Sequence, residues 1–267
     1  MDYLNISKQR LTVLPQIPNF ITELDCSHNN LTDISNLPDT IKILNCSYNF
    51  LDNLRKLPKK LNVLFCEFNQ LKSLPENLPE NLECIYCDDN NITFLPENLP
   101  QHLKVLYCSK NKIKIINRLP DTLEVLLCYL NEITEINYLP KKLEILHCFD
   151  NEIVKLPRKL PEFLTSFLCS RNKIKYLPIE YSENLIEIMC NNNEITFLPD
   201  TFPKSLGYLS CFGNPLIEIQ SKYKSIISDY KNQYNLLINS DPYKNNILNL
   251  IPLHENGLKK IIGGFLF

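Results

Sequence analysis

Apolar and polar residues alternate in short stretches that recur along most of the chain. In residues 103–109, LKVLYCS, the side chains of Leu106 and Cys108 would point to one side of an extended chain. Those of Val105 and Tyr107 would point to the other side. Because side chains on a β-strand alternate between its faces, this stretch predicts a short strand whose Leu and Cys point into a core.

The stretch returns at intervals of 20 or 21 residues, and a cysteine marks each copy. The marking cysteines are Cys26, Cys46, Cys66, Cys87, Cys108, Cys128, Cys148, Cys169, Cys190 and Cys211, and Cys84 lies outside the series. Self-similarity at a fixed short period is typical of solenoids, in which each repeat stacks on its neighbours. The chain is therefore predicted to be one elongated stack of similar units.

An asparagine follows every marking cysteine three positions later. These residues are Asn29, Asn49, Asn69, Asn90, Asn111, Asn131, Asn151, Asn172, Asn193 and Asn214. An amide at a sharp turn can satisfy backbone groups of its own coil and of the next, so we interpret the series as a structural asparagine ladder. Leu or Ile stands five positions before and five positions after each cysteine, and a Leu-Pro step opens most repeats.

Stacking these units predicts a parallel sheet. Adjacent rungs of such a sheet lie about 4.8 Å apart, so ten rungs span on the order of 48 Å. The proline-rich return segments exclude a long helix, and we expect extended or polyproline-like backbone there. Cysteine in the inward position acts as a small buried hydrophobic residue.

The two ends of the chain depart from the repeat. Residues 1–20 are predicted to form a degenerate first repeat that serves as the N-terminal cap, and residues 21–219 the ten repeats. Residues 220–267 are predicted to form a C-terminal helical cap and tail, because residues 223–237 place apolar side chains at helical spacing. The apolar residues 261–267 are too few to cross a bilayer.

The shared pattern, L-x-x-L-x-C-x-x-N-x-[LI], resembles the leucine-rich repeat over residues 4–219, with cysteine in a position that Leu or Val usually fills. The short unit and the Leu-Pro opening are similar to the repeats of bacterial effector proteins. The richness in Asn, Ile and Lys is similar to leucine-rich repeat proteins of giant viruses and amoebae, which makes a viral protein an expectation. The resemblance implies a solenoid with a curved parallel sheet on its concave face and a role in protein–protein interaction.

The net charge and the N-terminal sequence limit which partners and which cellular location we expect. The formal net charge is −2, which indicates neither a nucleic-acid nor an anionic-membrane partner. The N-terminus has no basic region followed by an apolar core, and no run of 18 apolar residues occurs. We expect a cytoplasmic protein that is not secreted, in a host cell if the protein is viral, with reduced thiols.

Motifs for catalysis or metal binding are weak. Cys84 and Cys87 match C-x-x-C, but they fall on opposite faces of one strand, which disfavours a zinc or redox site. None of the four histidines stands in a recognisable nucleophile motif. The acidic pair before Asn90 lacks the rest of a calcium loop and is interpreted as a solvated corner. We therefore predict no catalytic residue, metal or cofactor, and no enzyme.

The outward face of the middle strands carries the strongest functional signal, because apolar and aromatic side chains recur there. The predicted partner-binding residues on this concave face are Phe65, Tyr86, Tyr107, Leu127, Tyr129, His147 and Phe149. An exposed patch of this kind is typical of an interface. We predict a non-catalytic module that binds a protein or peptide of unknown identity. The alternatives are a structural protein that self-associates and an adaptor for a ubiquitin-type enzyme.

Overall fold

In the computed structural model of the chain, which describes residues 2–217, eleven short strands form one parallel sheet. The strands are β1 Tyr3–Asn5, β2 Glu23–Asp25, β3 Ile43–Asn45, β4 Val63–Phe65, β5 Cys84–Tyr86, β6 Val105–Tyr107, β7 Val125–Leu127, β8 Ile145–His147, β9 Ser166–Leu168, β10 Glu187–Met189 and β11 Tyr208–Ser210. These residues fall in one compact unit, Met1–Ile227. The predicted C-terminal helical cap, residues 220–267, lies outside the described residues.

The strands follow one another in sequence order, and each pairs in parallel with the next. The register keeps equivalent residues side by side, so that Leu44 of β3 pairs with Leu64 of β4. The predicted parallel solenoid is confirmed. β1 lies in the segment that was predicted to be the degenerate first repeat, and it pairs with β2.

Each strand is three residues long, shorter than the alternating pattern suggested, because the chain leaves the sheet at the cysteine. The backbone ladder nevertheless continues one step further. The Cys26 N–H donates to the Asn45 carbonyl at 2.8 Å, and the Cys46 N–H donates to the Phe65 carbonyl at 2.8 Å. Backbone hydrogen bonding between neighbouring coils therefore extends one residue beyond each strand.

The core lies on the inner side of the sheet, and every repeat contributes the same set of side chains to it. In the second repeat these are Leu44 and Cys46 from the strand side and Leu51 and Leu54 from the return segment, all of them buried. Truncating a core leucine of this kind to alanine costs about 2–5 kcal/mol. The stack thus depends on one continuous apolar column.

The ten marking cysteines form a second column within that core. All eleven cysteines, including Cys84, are free thiols and buried. Several thiols point along the stack, and the Cys87 Sγ lies 3.2 Å from the Tyr107 carbonyl of the next rung. Burial raises the pKa of the Cys148 thiol to about 12 and that of Cys108 well above its usual value. These thiols are neutral and structural.

The asparagine ladder joins each coil to its neighbours. The Asn111 Oδ1 accepts the Ile92 N–H of the preceding coil at 2.9 Å. Its Nδ2 donates to the Cys87 carbonyl of that coil at 3.0 Å and to the Cys108 carbonyl of its own coil at 3.2 Å. One buried amide therefore satisfies backbone groups on two coils.

The turn between each cysteine and its asparagine uses a left-handed residue. Positive φ recurs two positions after the cysteine, at His28, Tyr48, Phe68, Asp89, Lys110, Leu130, Asp150, Arg171, Asn192 and Gly213. A non-glycine residue costs about 1–2 kcal/mol in this conformation. The asparagine bonds on either side hold the turn in this conformation.

The Leu-Pro step closes a turn immediately before most of the strands. The Leu61 N–H donates to the Pro58 carbonyl at 3.1 Å, and the Leu103 N–H donates to the Pro100 carbonyl at 3.1 Å. Proline supplies only its carbonyl here, so its missing N–H costs nothing. The proline thus directs the return segment back toward the sheet.

Replacement of Asn111 by alanine tests the ladder. Asn111→Ala leaves the Ile92 N–H and the Cys87 carbonyl without their side-chain partner, and we expect a loss of about 3 kcal/mol in the free energy of unfolding. Urea unfolding followed by circular dichroism measures the loss. Asn117→Ala, at an exposed return-segment position, is the matched control and is expected to unfold with the wild type. Equal stability of the two variants would contradict the proposed role.

Thiol reactivity tests the cysteine column. We expect a disulfide-exchange reagent to leave the cysteines of residues 2–217 unmodified in the folded chain and to modify them rapidly in urea, because burial keeps these thiols protonated. Mass spectrometry counts the modified thiols against time. Rapid native labelling at Cys108 would show that this thiol is not structural.

Candidate functional site

The concave surface consists of the outward side chains of the strands together with the residue that follows each marking cysteine. The sequence-predicted residues all belong to it. Phe65, Tyr86, Tyr107, Leu127 and His147 are the last residues of β4 to β8, and Tyr129 and Phe149 follow the cysteines directly after β7 and β8. The structure therefore places the seven residues on neighbouring rungs of one sheet face.

Five of these residues form two groups of contacting rings. The rings of Phe65 and Tyr86 stack with centroids 4.6 Å apart, and those of Tyr86 and Tyr107 meet edge to face at 4.8 Å. Tyr129 and Phe149 stack at 4.5 Å. The rung spacing of a parallel sheet is close to the distance at which aromatic rings stack, so equivalent aromatics on successive rungs pair without distortion.

The expected exposure of this surface is wrong in part. Tyr86, Leu127 and Phe149 are only 5%, 2% and 4% exposed, and the other four predicted residues are half-buried. Ring stacking covers the flat faces of the aromatics. The surface remains apolar in character, but much less of it is accessible than an open patch would offer.

His147 takes part in a polar chain that no motif suggested. Its Nε2 lies 3.1 Å from the Ser166 Oγ, and the Ser166 hydroxyl donates to the Glu187 Oε1 at 2.6 Å. Since the serine hydroxyl donates its hydrogen bond to the carboxylate, its oxygen accepts one from the imidazole Nε2–H. Burial lowers the pKa of His147 to about 3, so the ring is neutral at pH 7. The carboxylate contacts the serine and not the histidine, which is the reverse of a nucleophile triad.

Asp88 corrects the expectation of a solvated acidic corner. The residue is 7% exposed, and its Oδ1 accepts the Ser109 N–H at 2.6 Å. Desolvation by burial raises the pKa of the carboxyl from 3.8 to about 7. Glu67, one rung earlier in the same row, is also buried. Two buried acids thus border the aromatic rings. In the sequence, only their position in the repeat could have indicated that they are buried.

The N-terminal ends of the middle strands carry further charges. Lys104 pairs with Glu83 of the preceding rung at 2.7 Å. Glu124 and Glu144 follow on the next two rungs, and neither forms an ion pair within residues 2–217. Burial and the neighbouring Glu144 raise the pKa of Glu124. Lys104 and Lys142 act on Glu124 in the opposite direction, so this margin of the concave surface carries charges of both signs.

The C-x-x-C pair is divided between the two faces of β5 and its continuation. Cys84 lies in the outward row, beside Val63 and Val105, whereas Cys87 belongs to the core. Within residues 2–217 no group of three or more His, Cys, Asp or Glu is arranged to hold a metal ion. The same part of the chain has no helix long and apolar enough to span a membrane.

Solved structures with the same architecture were found by comparison of the folds. YopM from Yersinia pestis, described as a leucine-rich effector protein, is 30% identical with a TM-score of 0.73, over 80% of this chain and 61% of that chain. YopM from Yersinia enterocolitica WA-314 is 29% identical with a TM-score of 0.71, over 80% and 52%. The chain has the leucine-rich repeat fold.

A third solved structure shares the fold. The functional domain of InlJ from Listeria monocytogenes is described as including a cysteine ladder, and it is 24% identical with a TM-score of 0.74 over 85% of this chain and 52% of that chain. This chain thus spans 52% to 61% of the length of the three structures. No family model and no curated protein sequence matches the chain.

The buried Asp88 predicts a dependence of stability on pH. Its folded-state pKa lies above the unfolded value of 3.8, so the folded chain holds a proton that the unfolded chain releases between these values. The contribution of Asp88 to the free energy of unfolding is therefore largest below about pH 4. It decreases as the pH rises toward 7, by at most about 4 kcal/mol.

Asp88→Asn removes this dependence while its amide oxygen can still accept the Ser109 N–H. We expect the variant to gain stability relative to the wild type on going from pH 5 to pH 8, as measured by urea unfolding at each pH. Asp52→Asn, at an exposed position, is the control and is expected to keep the wild-type profile. A wild-type profile in Asp88→Asn would show that the carboxyl is not buried in the folded chain.

Proposed function

We propose that the chain is a non-catalytic interaction module that binds a protein or peptide segment on its concave surface. The observation that carries the proposal is the pair of ring groups on consecutive rungs, Phe65–Tyr86–Tyr107 and Tyr129–Phe149. Aromatic side chains held rigidly at the centre of a surface are the residues that dominate binding energy at interfaces. The proposed binding residues remain Phe65, Tyr86, Tyr107, Leu127, Tyr129, His147 and Phe149.

The chemistry of the surface indicates the partner. The accessible edges of the rings accept aliphatic and aromatic side chains, and a margin of mixed charge borders them on one side. An extended segment with an apolar core therefore fits better than a polyanion. This supports a protein partner, and it argues against nucleic acid as the ligand.

The absence of a competent nucleophile on this surface supports a binding role. The Ser166 hydroxyl donates a hydrogen bond to Glu187, and neutral His147 donates one to the serine oxygen. Reduced thiols throughout the core further favour a reducing compartment, and we propose a cytoplasmic location on this ground.

A peptide selected on the full chain from a displayed random library tests the proposal. We expect Tyr107→Asp to weaken binding of that peptide by about 2 kcal/mol, roughly thirtyfold in Kd, because an aspartate in the ring group must be desolvated on binding. Isothermal titration calorimetry measures the affinity, and circular dichroism confirms the fold. Tyr107→Ser is the milder replacement if the aspartate destabilises the sheet.

Tyr176→Asp is the matched control, because Tyr176 is 74% exposed and lies outside the concave surface. It is expected to bind the peptide as the wild type does. Selected peptides that bind Tyr107→Asp and Tyr176→Asp equally well would place the binding site elsewhere and overturn the proposal.

A further inference from the structure

The row formed by the first residue of each strand changes from aliphatic to polar between β8 and β9. This residue is aliphatic in β6 to β8, and it becomes Ser166 in β9 and Glu187 in β10. His147, the last residue of β8, is the one imidazole among the residues of β1 to β11. A polar group with a defined hydrogen-bonding pattern therefore borders the aliphatic part of the concave surface.

Hydrogen bonds along this polar row fix the tautomer of His147. The Ser166 hydroxyl donates to the Glu187 Oε1 at 2.6 Å, so the serine oxygen is left as an acceptor for the imidazole Nε2, which lies 3.1 Å away. The ring therefore carries its proton on Nε2. Because a neutral imidazole has only one protonated nitrogen, the Nδ1 of His147 is a hydrogen-bond acceptor.

This Nδ1 has no hydrogen-bond partner within residues 2–217. The two ring nitrogens lie on opposite sides of Cε1, so the lone pair of Nδ1 points away from Ser166. The lateral neighbours of His147 in the sheet are Leu127 on β7 and Leu168 on β9, whose side chains have no donor. Since the histidine is only half-buried, a donor for Nδ1 comes from solvent or from a molecule bound on the concave surface.

An acceptor flanked by leucines discriminates between bound groups. A ligand that displaces water from Nδ1 without replacing its hydrogen bond leaves the nitrogen desolvated and unpaired, which weakens binding. A carbonyl or carboxylate oxygen in that place would set one acceptor against another. A hydroxyl, amide N–H or indole N–H pairs with the nitrogen and leaves the leucines free to contact apolar side chains.

We propose that His147 is a specificity-determining residue of the concave surface, and that its Nδ1 accepts a hydrogen bond from an N–H or O–H group flanked by apolar side chains in the bound segment. Ser166 and Glu187 are positioning residues, because they act through the tautomer of the ring and need not touch the ligand. The inference rests on the proposed function, since it names the chemistry that the surface recognises. The tautomer itself depends on no partner.

NMR of the histidine ring nitrogens in the full, ligand-free chain tests the tautomer. We expect His147, assigned by the loss of its signals in His147→Asn, to show a protonated Nε2 and an unprotonated Nδ1. In Glu187→Gln the carboxamide is able to donate to the serine, so we expect the tautomer with its proton on Nδ1 to gain population. A proton on Nδ1 in the wild type, or an unchanged tautomer ratio in Glu187→Gln, would overturn the proposal. Glu183→Gln, at an exposed position between β9 and β10, is the matched control and is expected to keep the wild-type tautomer.

Two variants of His147 test the acceptor with the peptide selected on the full chain. The oxygen of an asparagine side chain occupies the place of Nδ1, whereas the amide of glutamine occupies that of Nε2. We expect His147→Gln to bind about tenfold more weakly in Kd, the factor for one lost hydrogen bond to a desolvated acceptor, and His147→Asn to bind within about threefold of the wild type. Isothermal titration calorimetry measures both affinities, and circular dichroism confirms the fold of each variant. Equal affinity of the two variants, or weaker binding by His147→Asn, would overturn the specificity role.

The two proposals fail in distinguishable ways. Peptide binding that depends on Tyr107, with equal affinity of His147→Gln and His147→Asn, would keep the binding function and remove the role of His147. No peptide binding that depends on Tyr107 would remove the proposed function and the specificity role together. The tautomer of His147 in the free chain would then stand or fall by the NMR measurement alone.

Discussion

Each asparagine of the ladder holds two coils together with one side chain, and the rest of the solenoid depends on these bonds. Asn111 satisfies an N–H and a carbonyl of the preceding coil and a carbonyl of its own. Without it, these backbone groups would be buried at a turn that no strand pairing reaches. Because the same bonds recur at every coil, they set the register of the strands and stabilise the left-handed turn residue. Backbone pairing sets the spacing of the strands, and the asparagine bonds fix the turns at the end of each rung.

The fold was predictable because its determinants recur at fixed positions. Ten cysteines and ten asparagines in one register specify which side chains face the core, and the structure agrees at each. The left-handed residue was not predictable, since the position is filled by residues as different as His28, Leu130 and Gly213. Its conformation is imposed by the bonds on either side and not by its own preference. The strands were overestimated for a similar reason, because alternation continues through the cysteine after the backbone has left the sheet.

The sequence predicted which residues lie on the concave surface but not how far each of them is buried. Periodicity assigned Tyr86 and Leu127 to the concave face, yet it could not show how far neighbouring rungs cover them. Asp88 illustrates the limit more clearly. A pair of aspartates beside asparagines has the composition of a solvated loop, but the register places Asp88 beside the aromatic rows, where it is buried and its pKa is raised. The His147–Ser166–Glu187 chain joins three different rungs, so no local motif could indicate it.

The regular spacing that builds the surface also restricts what the surface can do. Rings that stack on their neighbours use their faces for the fold, so a ligand bound there, as proposed, would meet mainly the edges of the rings. The strands hold these groups rigidly, which lowers the entropic cost of binding. It also means that the surface cannot rearrange to cover its own apolar residues in the absence of a partner. A partner that binds there, as proposed, meets a surface that is already in its binding conformation.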